Sequence, residues 1–259
     1  MGYDTDLNNE QWAVLKPLFE KPYTTGRKRK HKTREILNAI HYVLKTGCQW
    51  RLLPKDFPPY TTVFKQFTTW RKNGVWEHAL RMLHALARSL DHRNVQPSVG
   101  IIDSQTVKSA SKKGPRGYDA GKKIKGRKRH INVDVLGIPM AVVVTPADVQ
   151  DRDGAKLVIE RTKRFYRFLK RAFADGGYAG ELVKWFRKSA GIALEIVKRS
   201  DKAKGFVVLP KRWIVERSFG WSDNNRRLSK DYEEHCSTSE AWFQASFCFF
   251  VVNRLFSYI

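Results

Sequence analysis

Two short apolar runs each end in an aspartate, and no other feature restricts the architecture of this chain as much. Val99-Gly100-Ile101-Ile102 leads into Asp103, and Ala172-Phe173-Ala174 leads into Asp175 ahead of Gly176-Gly177. Runs of this length bounded by turn residues read as buried strands. As parallel neighbours they converge on one edge of a sheet and bring two carboxylates to it. A third carboxylate, Glu216, lies in Arg212-Trp213-Ile214-Val215-Glu216-Arg217, whose helical spacing lets it reach that edge from a helix lying across it. Asp175 follows Asp103 by 72 residues and Glu216 follows by a further 41, which leaves room for a hairpin and helices between them.

Before residue 91 the texture is helical throughout. Trp12, Leu15 and Phe19 recur at helical spacing, with Asn8 and Gln11 as a capping pair and Pro22 as the stop. A basic arm, Gly26 to Lys32, contains Arg27, Lys28 and Arg29; it suits either a DNA minor groove or a solvated charge run. Thr33 reads as the cap of a second helix carrying Leu37, Ile40 and Leu44. Pro58-Pro59 sets up a third helix from about Thr61 to Lys72. Its Val63, Phe67 and Trp70 line a core face, while Lys65, Gln66, Thr69 and Arg71 form a face suited to a DNA major groove. Gly74 separates it from a fourth helix with Trp76, Leu80, Leu83 and Leu90. The expectation is an all-α, helix-turn-helix-like domain over residues 1–95, closed by the polar connection Asp91 to Ser98.

The remainder, 96–259, reads as α/β. Lys108 to Arg129 is strongly basic and broken by glycine and proline, so a loop is expected there. Ile131, Val133 and Val135, the turn at Gly137-Ile138-Pro139, and Met140 to Val144 make a hairpin. A helix capped at Asp151 or Asp153, a strand to Ala174, a helix over Glu181 to Ala190 and a strand over Ala193 to Lys198 complete a mixed sheet flanked by helices. Two further helices follow, around Lys211 to Leu228 and from Ser239 onward.

Lys and Arg number 49 against 25 Asp and Glu, a net charge of +24, so the expected partner is a polyanion. A membrane is disfavoured. The most apolar stretch, from Ala241, is interrupted by Gln244, Ser246, Asn253 and Arg254 and reads as a buried helix, and the amino terminus lacks a secretory pattern. Cys48, Cys236 and Cys248 are odd in number and far apart, which fits a reducing cytoplasm and argues against disulfides or a zinc site.

Three carboxylates near a polyanion point to phosphodiester chemistry. Two divalent ions about 4 Å apart activate the attacking oxygen and stabilise the leaving one, and carboxylates are the hard ligands Mg²⁺ prefers. Each residue also has a plainer reading. Asp103 before Ser104 suits a turn cap, Asp175 before two glycines suits an ordinary turn, and Glu216 suits an ion pair with Arg212 at i−4. Asp134 and Asp148 are further carboxylates, the latter close to a strand end.

Asp103 to Lys108, Gly114 to Lys123, Gly126 to His130, Thr145 to Gly154 and Ala174 to Tyr178 together resemble the bacterial insertion-sequence transposases of the insertion sequence 5 family. The resemblance extends through Gln11-Trp12, Thr46 to Pro58 and Tyr60 to Lys72, so it covers nearly the whole chain. It implies a DDE transposase with an RNase H-like catalytic fold. Asp103, Asp175 and Glu216 would be the ligands of two Mg²⁺ ions, for which Mn²⁺ substitutes. It further implies binding of double-stranded DNA at the terminal inverted repeats, cleavage of the ends by water, transfer of the 3′ hydroxyls to target DNA, and a homodimer or higher in the synaptic complex, in the bacterial cytoplasm at the nucleoid. Lys108, Lys122, Lys123, Lys125, Arg127, Lys128 and Arg129 become phosphate-neutralising residues beside the active site. The family's Tyr, Arg, Glu, Lys signature is matched by Arg212 and Glu216. Leu209 holds the tyrosine position and Asp223 the lysine position, which leaves Arg226 or Arg227 to take over the phosphate contact.

Overall fold

The computed structural model describes residues 2–20, 30–110, 113–197 and 211–256. Two compact units emerge, and neither is contiguous in sequence. One comprises Met1–Leu83, Ser222–Ser229 and Ala241–Ile259, the other His84–Trp221 and Lys230–Glu240. A division in chain order at residue 95 instead keeps everything beyond the Asp91 to Ser98 connection together.

The first unit is helical. In α1 (Asn9–Phe19) the Asn8 side chain accepts from Gln11 N at 2.8 Å, and Gln11 Oε1 accepts from Asn8 N at 2.9 Å, which satisfies two helix-end donors at once. In α2 (Thr33–Thr46) Lys32 takes the cap position expected of Thr33. Glu35 reaches back to the Lys32 N–H at 3.2 Å, and Thr33 is already turned into the core. Residues 47–59, with a 3-10 turn at Trp50–Leu52, lead to α3 (Tyr60–Lys72), which only Asn73-Gly74 separates from α4 (Val75–Leu90). A two-residue turn thus joins α3 to α4, whereas residues 47–59 join α2 to α3. Val63, Phe67 and Trp70 are buried as their spacing requires. They join an aromatic core in which Phe67 stacks on Trp242 with ring centroids 4.3 Å apart, and Phe19 meets Trp76 edge-on at 4.9 Å. Trp242 and Cys248 come from the last helix, α8 (Cys236–Phe256); burial pushes the Cys248 thiol far up, and all three cysteines are free thiols. Among the described residues no helix is long and apolar enough to cross a membrane.

The second unit is built on a six-stranded mixed sheet: β1 (Val99–Lys108), β2 (Gly117–Asp119), β3 (Ile124–Val133), β4 (Pro139–Pro146), β5 (Arg171–Ala174) and β6 (Ala193–Ile196). β3 pairs antiparallel with β1 along one edge and with β2 and β4 along the other, while β5 runs parallel to both β1 and β6. Helices α5 (Asp151–Lys163), α6 (Glu181–Trp185, continued by a π-turn through Ala190) and α7 (Arg212–Asp223) accompany it. Ile102, Met140, Val158, Ile159, Leu169, Phe186 and Leu194 form the core beneath α5 and α6. α5 lies close to the sheet because Gly154 carries no side chain; a Cβ there would sit 2.1 Å from the His130 ring.

Two expectations are corrected. The basic stretch 108–129 is not loop throughout, since β1 runs on to Lys108, β2 falls inside it and β3 begins at Ile124. Pairing of Lys108 with Gly126 carries the ladder that far, and a Cβ at Gly126 would lie 1.9 Å from the Val107 carbonyl oxygen. Consequently Asp103 sits within a strand and not at its end. Asp151, moreover, is not a helix cap: Gln150 occupies that position without a side-chain bond, and the Asp151 carboxylate is engaged elsewhere.

The hairpin joining β3 to β4 is closed by Asp134, a fully buried carboxylate. Its Oδ1 accepts from Leu136 N at 2.9 Å and Ile138 N at 3.2 Å, and its Oδ2 meets Arg88 and lies 3.1 Å from His84 Nε2. Burial alone would raise this carboxyl, but His84 and Arg88 hold it below its ordinary 3.8. Asp134→Ala leaves Arg88 buried without its partner and is expected to destabilise the protein by about 3–5 kcal/mol in urea unfolding. Because the folded value is depressed, the carboxylate's contribution is present above about pH 4 and lost as pH falls through the folded value, so Asp134→Asn flattens the acid limb of the stability profile.

Candidate active site

β1 and β5 pair with Val99 opposite Arg171, Gly100 opposite Ala172 and Ile101 opposite Phe173. That pairing stops two residues before each aspartate, and the two lie near enough for the charge of Asp175 to act on Asp103. Beyond Ala174 the chain leaves the sheet in a 3-10 turn, Gly176–Tyr178, which Asp175 caps by accepting from Gly177 N at 2.8 Å. Asp175 therefore does cap a turn, and from there its charge reaches Asp103.

Glu216 is delivered by α7, which is fixed at two places. Ser218, fully buried, donates to the Gly137 carbonyl at 2.8 Å, and Arg217 donates to the Leu136 carbonyl at 3.3 Å, so the helix rests on the hairpin turn that Asp134 closes. At its start Lys211 Nζ lies 3.7 Å above the Phe173 ring of β5. Arg212 then joins the acids: Nη2 is 3.3 Å from Asp175 Oδ2, and Nε is 3.3 Å from Glu216 Oε1. The structure thus brings Asp103, Asp175, Arg212 and Glu216 together.

The electrostatics are strained at Asp103. Desolvation pushes its carboxyl up to about 6, with the Asp175 charge adding to the effect; the Ser104 N–H, Arg212 and Lys122 oppose it. Half-buried by exposed area but densely enclosed, Asp103 accepts from Ser104 N at 2.7 Å. The site's donors are hard carboxylate oxygens, the type a divalent ion prefers, but Arg212 is interposed between two of them. Among the described residues no group of three His, Cys, Asp or Glu side chains is drawn close enough to hold a metal as it stands.

A second layer of charge surrounds the carboxylates. Ser104 Oγ donates to Asp151 Oδ1 at 2.7 Å, Lys128 Nζ reaches Asp151 at 3.0 Å and Asp119 at 3.5 Å, and Thr106 donates to Asp119 at 2.6 Å. Tyr178 is buried against the same group, its hydroxyl pushed well above its ordinary value by burial and by the charges of Asp103, Asp151 and Asp175. From sequence, Asp151 reads as a helix cap and Lys128 as a phosphate contact, and Ser104, Thr106, Asp119 and Tyr178 are not singled out as site residues; the signal that could have found them is their place inside the motifs Asp103 to Lys108, Gly114 to Lys123, Gly126 to His130, Thr145 to Gly154 and Ala174 to Tyr178.

The basic residues divide sharply. Lys108, Lys122, Lys123 and Lys125 are exposed, and Lys122 Nζ lies 3.5 Å from the Ser104 carbonyl, beside Asp103. Arg127, Lys128 and Arg129 face inward: Arg127 binds Asp231, Ser239 and the carbonyls of Pro115 and Glu234, and Arg129 donates to Gln105 at 3.0 Å. The expectation that these three contact phosphate at the surface does not fit that burial. In the helical unit Lys65 and Thr69 are exposed, and Gln66 and Arg71 half-buried, along α3. Arg226 is exposed, whereas Arg227 is buried with its guanidinium 5.5 Å from the Trp242 ring. Asp223 is the exposed last residue of α7. Arg27, Lys28, Arg29 and Leu209 lie outside the described residues.

Residues 94–250 match the family described as "Transposase DDE domain", and residues 7–80 match "Putative transposase of IS4/5 family". The chain is 30% identical over 162 residues to a Burkholderia cepacia protein described as "Putative transposase for insertion sequence element IS402", covering 60% of this chain and 75% of that one. It is also 28% identical over 109 residues to an "Insertion element IS402 uncharacterized 16.2 kDa protein" from the same organism, covering 40% of this chain and 73% of that one.

The raised carboxyl carries a stability consequence. A folded value of about 6 against an ordinary 3.8 means that Asp103 favours folding fully below about pH 4 and loses that contribution as pH rises through 6. Asp103→Asn is therefore expected to stabilise the metal-free protein at pH 7.5 by about 1–2 kcal/mol, allowing for partial solvent screening, and to leave it nearly unchanged at pH 4. Thermal unfolding at the two pH values measures this.

Proposed function

The chain belongs to the DDE transposases of the IS4/5 group, insertion-sequence enzymes that act on DNA with a divalent metal, and on that premise we propose that it binds the terminal inverted repeats of its own element, cuts the ends and joins the resulting 3′ hydroxyls to target DNA. The observation that carries this reading is the gathering of Asp103 on β1, Asp175 at the end of the parallel neighbour β5, and Glu216, which is linked to Asp175 through Arg212. An RNase H-like classification is supported by the sheet itself, an antiparallel meander continued by the parallel strands that present the two aspartates.

In this reading Asp103, Asp175 and Glu216 hold two Mg²⁺ ions, which Mn²⁺ replaces. When bound, such ions polarise the phosphate and lower the pKa of an attacking water. The protein's own residues do the rest. The pairing of β1 with β5 positions two of the carboxylates, and α7 sets the third. Lys122, exposed and next to Asp103, is placed to neutralise a phosphate at the scissile bond, with Lys108, Lys123 and Lys125 extending the basic surface along the same strands. Within the helical unit the exposed side of α3, with Lys65, Gln66, Thr69 and Arg71, is the proposed reader of the terminal repeat, assisted by Arg27, Lys28 and Arg29. Of the two arginines proposed to replace the family's lysine, exposure favours Arg226. Water serves as nucleophile for cleavage and the 3′ hydroxyl for transfer, and joining two ends calls for at least a dimer when assembled.

The test is Mg²⁺-dependent nicking of a duplex carrying the terminal repeat. Asp103→Asn, Asp175→Asn and Glu216→Gln are expected to bind the duplex normally and cut at the no-enzyme background; a wild-type protein that binds the repeat yet never cuts refutes the proposal. Because Asp103 must be ionised to ligate a cation and its carboxyl sits at about 6, nicking and metal affinity should both fall as pH drops below 6, with proton release on metal binding largest in that range.

A further inference from the structure

We propose that Arg212 is the built-in counter-cation of the carboxylate site: without metal it holds Asp175 and Glu216 together, and a divalent ion competes with it for both. The inference rests on the reading of Asp103, Asp175 and Glu216 as metal ligands, and it assigns Arg212 a role toward the metal as well as toward DNA.

The geometry distinguishes Arg212 from the structural arginines of the same unit. Arg127 is fully buried, donates to the Glu234 and Pro115 carbonyls at 2.7 and 2.8 Å, and lies 3.1 Å from Asp231, so its fork is satisfied by fixed partners. Arg88 is similarly enclosed with Asp134 and the Asn94 carbonyl. Arg212 keeps 31% of its side chain exposed, and both its contacts are 3.3 Å, longer than the roughly 2.7–2.9 Å of a charge-assisted hydrogen bond. Its Nε is enclosed without an aligned acceptor. Charge holds this side chain in place, and close packing does not.

Its position explains why a cation is needed there. Asp103 lies on β1 and Asp175 directly after β5, the strand paired with it, and Arg212 meets Asp175 and Glu216 at 3.3 Å each. Without metal, the three acids would have little beside Arg212 and Lys122 to offset their mutual repulsion. A divalent ion brings twice the charge and prefers hard oxygen ligands, so it satisfies the same carboxylates better. A displaced Arg212 remains one helical turn from Glu216, and its planar fork suits a phosphodiester oxygen. The residue that stands in for the metal thus becomes available to the substrate when the metal arrives. A static i, i+4 surface pair predicts no such competition.

Mn²⁺ binding to the full chain without DNA, followed by electron paramagnetic resonance of the free ion, tests this directly. Arg212→Gln is expected to tighten Mn²⁺ binding by roughly three- to tenfold, the equilibrium equivalent of losing two partly exposed charge contacts as competitors. Arg171→Gln removes the same charge from the opposite end of β5, where Arg171 lies 3.8 Å from Glu195, and should change affinity by less than about twofold. Unchanged or weakened binding in Arg212→Gln overturns the proposal; if Asp175→Asn still weakens Mn²⁺ in that case, the metal-site reading survives alone. Wild-type protein without saturable Mn²⁺ binding overturns both. Should Arg212→Gln fold poorly by circular dichroism, the wild-type guanidinium Nε–H resonance, assigned by its loss in Arg212→Lys, provides a second readout. It is expected to shift when Mg²⁺ is added, and a resonance indifferent to Mg²⁺ overturns the proposal.

Discussion

The buried Asp134 carboxylate is the constraint on which the placement of the site depends. One of its oxygens closes the turn between β3 and β4 through two backbone N–H groups, and the other is bound by Arg88 and approached by His84 from α4. The carbonyls of that turn, at Leu136 and Gly137, then receive Arg217 and Ser218 of α7. The seating of α7, which carries Arg212 and Glu216, thus rests on a turn closed by a buried charge. A carboxylate removed from water is tolerated here because each oxygen is satisfied in the low-dielectric interior.

The same economy governs the positive charge. A net +24 reads at first as a surface coating for a polyanion, yet several of its most suggestive members are internal. Arg127 ties β3 to the segment carrying Asp231 and Glu234, and Lys128 bridges Asp119 and Asp151 just behind the strand that bears Asp103. β3 therefore carries buried cations in succession, Arg127 paired with Asp231 and Lys128 with Asp119 and Asp151. Lys108, Lys122, Lys123 and Lys125 remain at the surface, and of these Lys122 lies beside Asp103.

Much of the α/β region was legible because its signals are local. The β3 to β4 hairpin follows from alternation and a glycine turn, α1 from a capping pair four residues long, and β5 from an apolar run that stops at Asp175. The loop expected over 108–129 was misread for a definite reason. Glycine and proline normally break a strand, whereas the absence of a side chain at Gly126 lets β3 approach the Val107 carbonyl, and Arg127 and Lys128 pair with Asp231 and Asp151, which lie outside the stretch. The exchange of C-terminal residues into the helical unit was equally invisible, since the apolar run from Ala241 announces a buried helix without naming what it packs against. Only a contact such as Trp242 on Phe67 supplies that.

The carboxylates were visible as residue types, and what the sequence withheld was their balance. The parallel pairing of β1 and β5, and the core beneath them, bring Asp103 and Asp175 near one another whether or not two negative charges favour it. The repulsion then has to be absorbed locally. Part of it appears in the raised Asp103 carboxyl and part in the Arg212 fork between Asp175 and Glu216. Ser104, Lys128 and Asp151 hold the strand next to Asp103 in place while this happens. These supporting residues fall within the same unusual motifs that made the sequence resemble its family. The charge strain that remains is concentrated at Asp103, where burial and the Asp175 charge both disfavour the ionised form and only the Ser104 N–H, Arg212 and Lys122 oppose them.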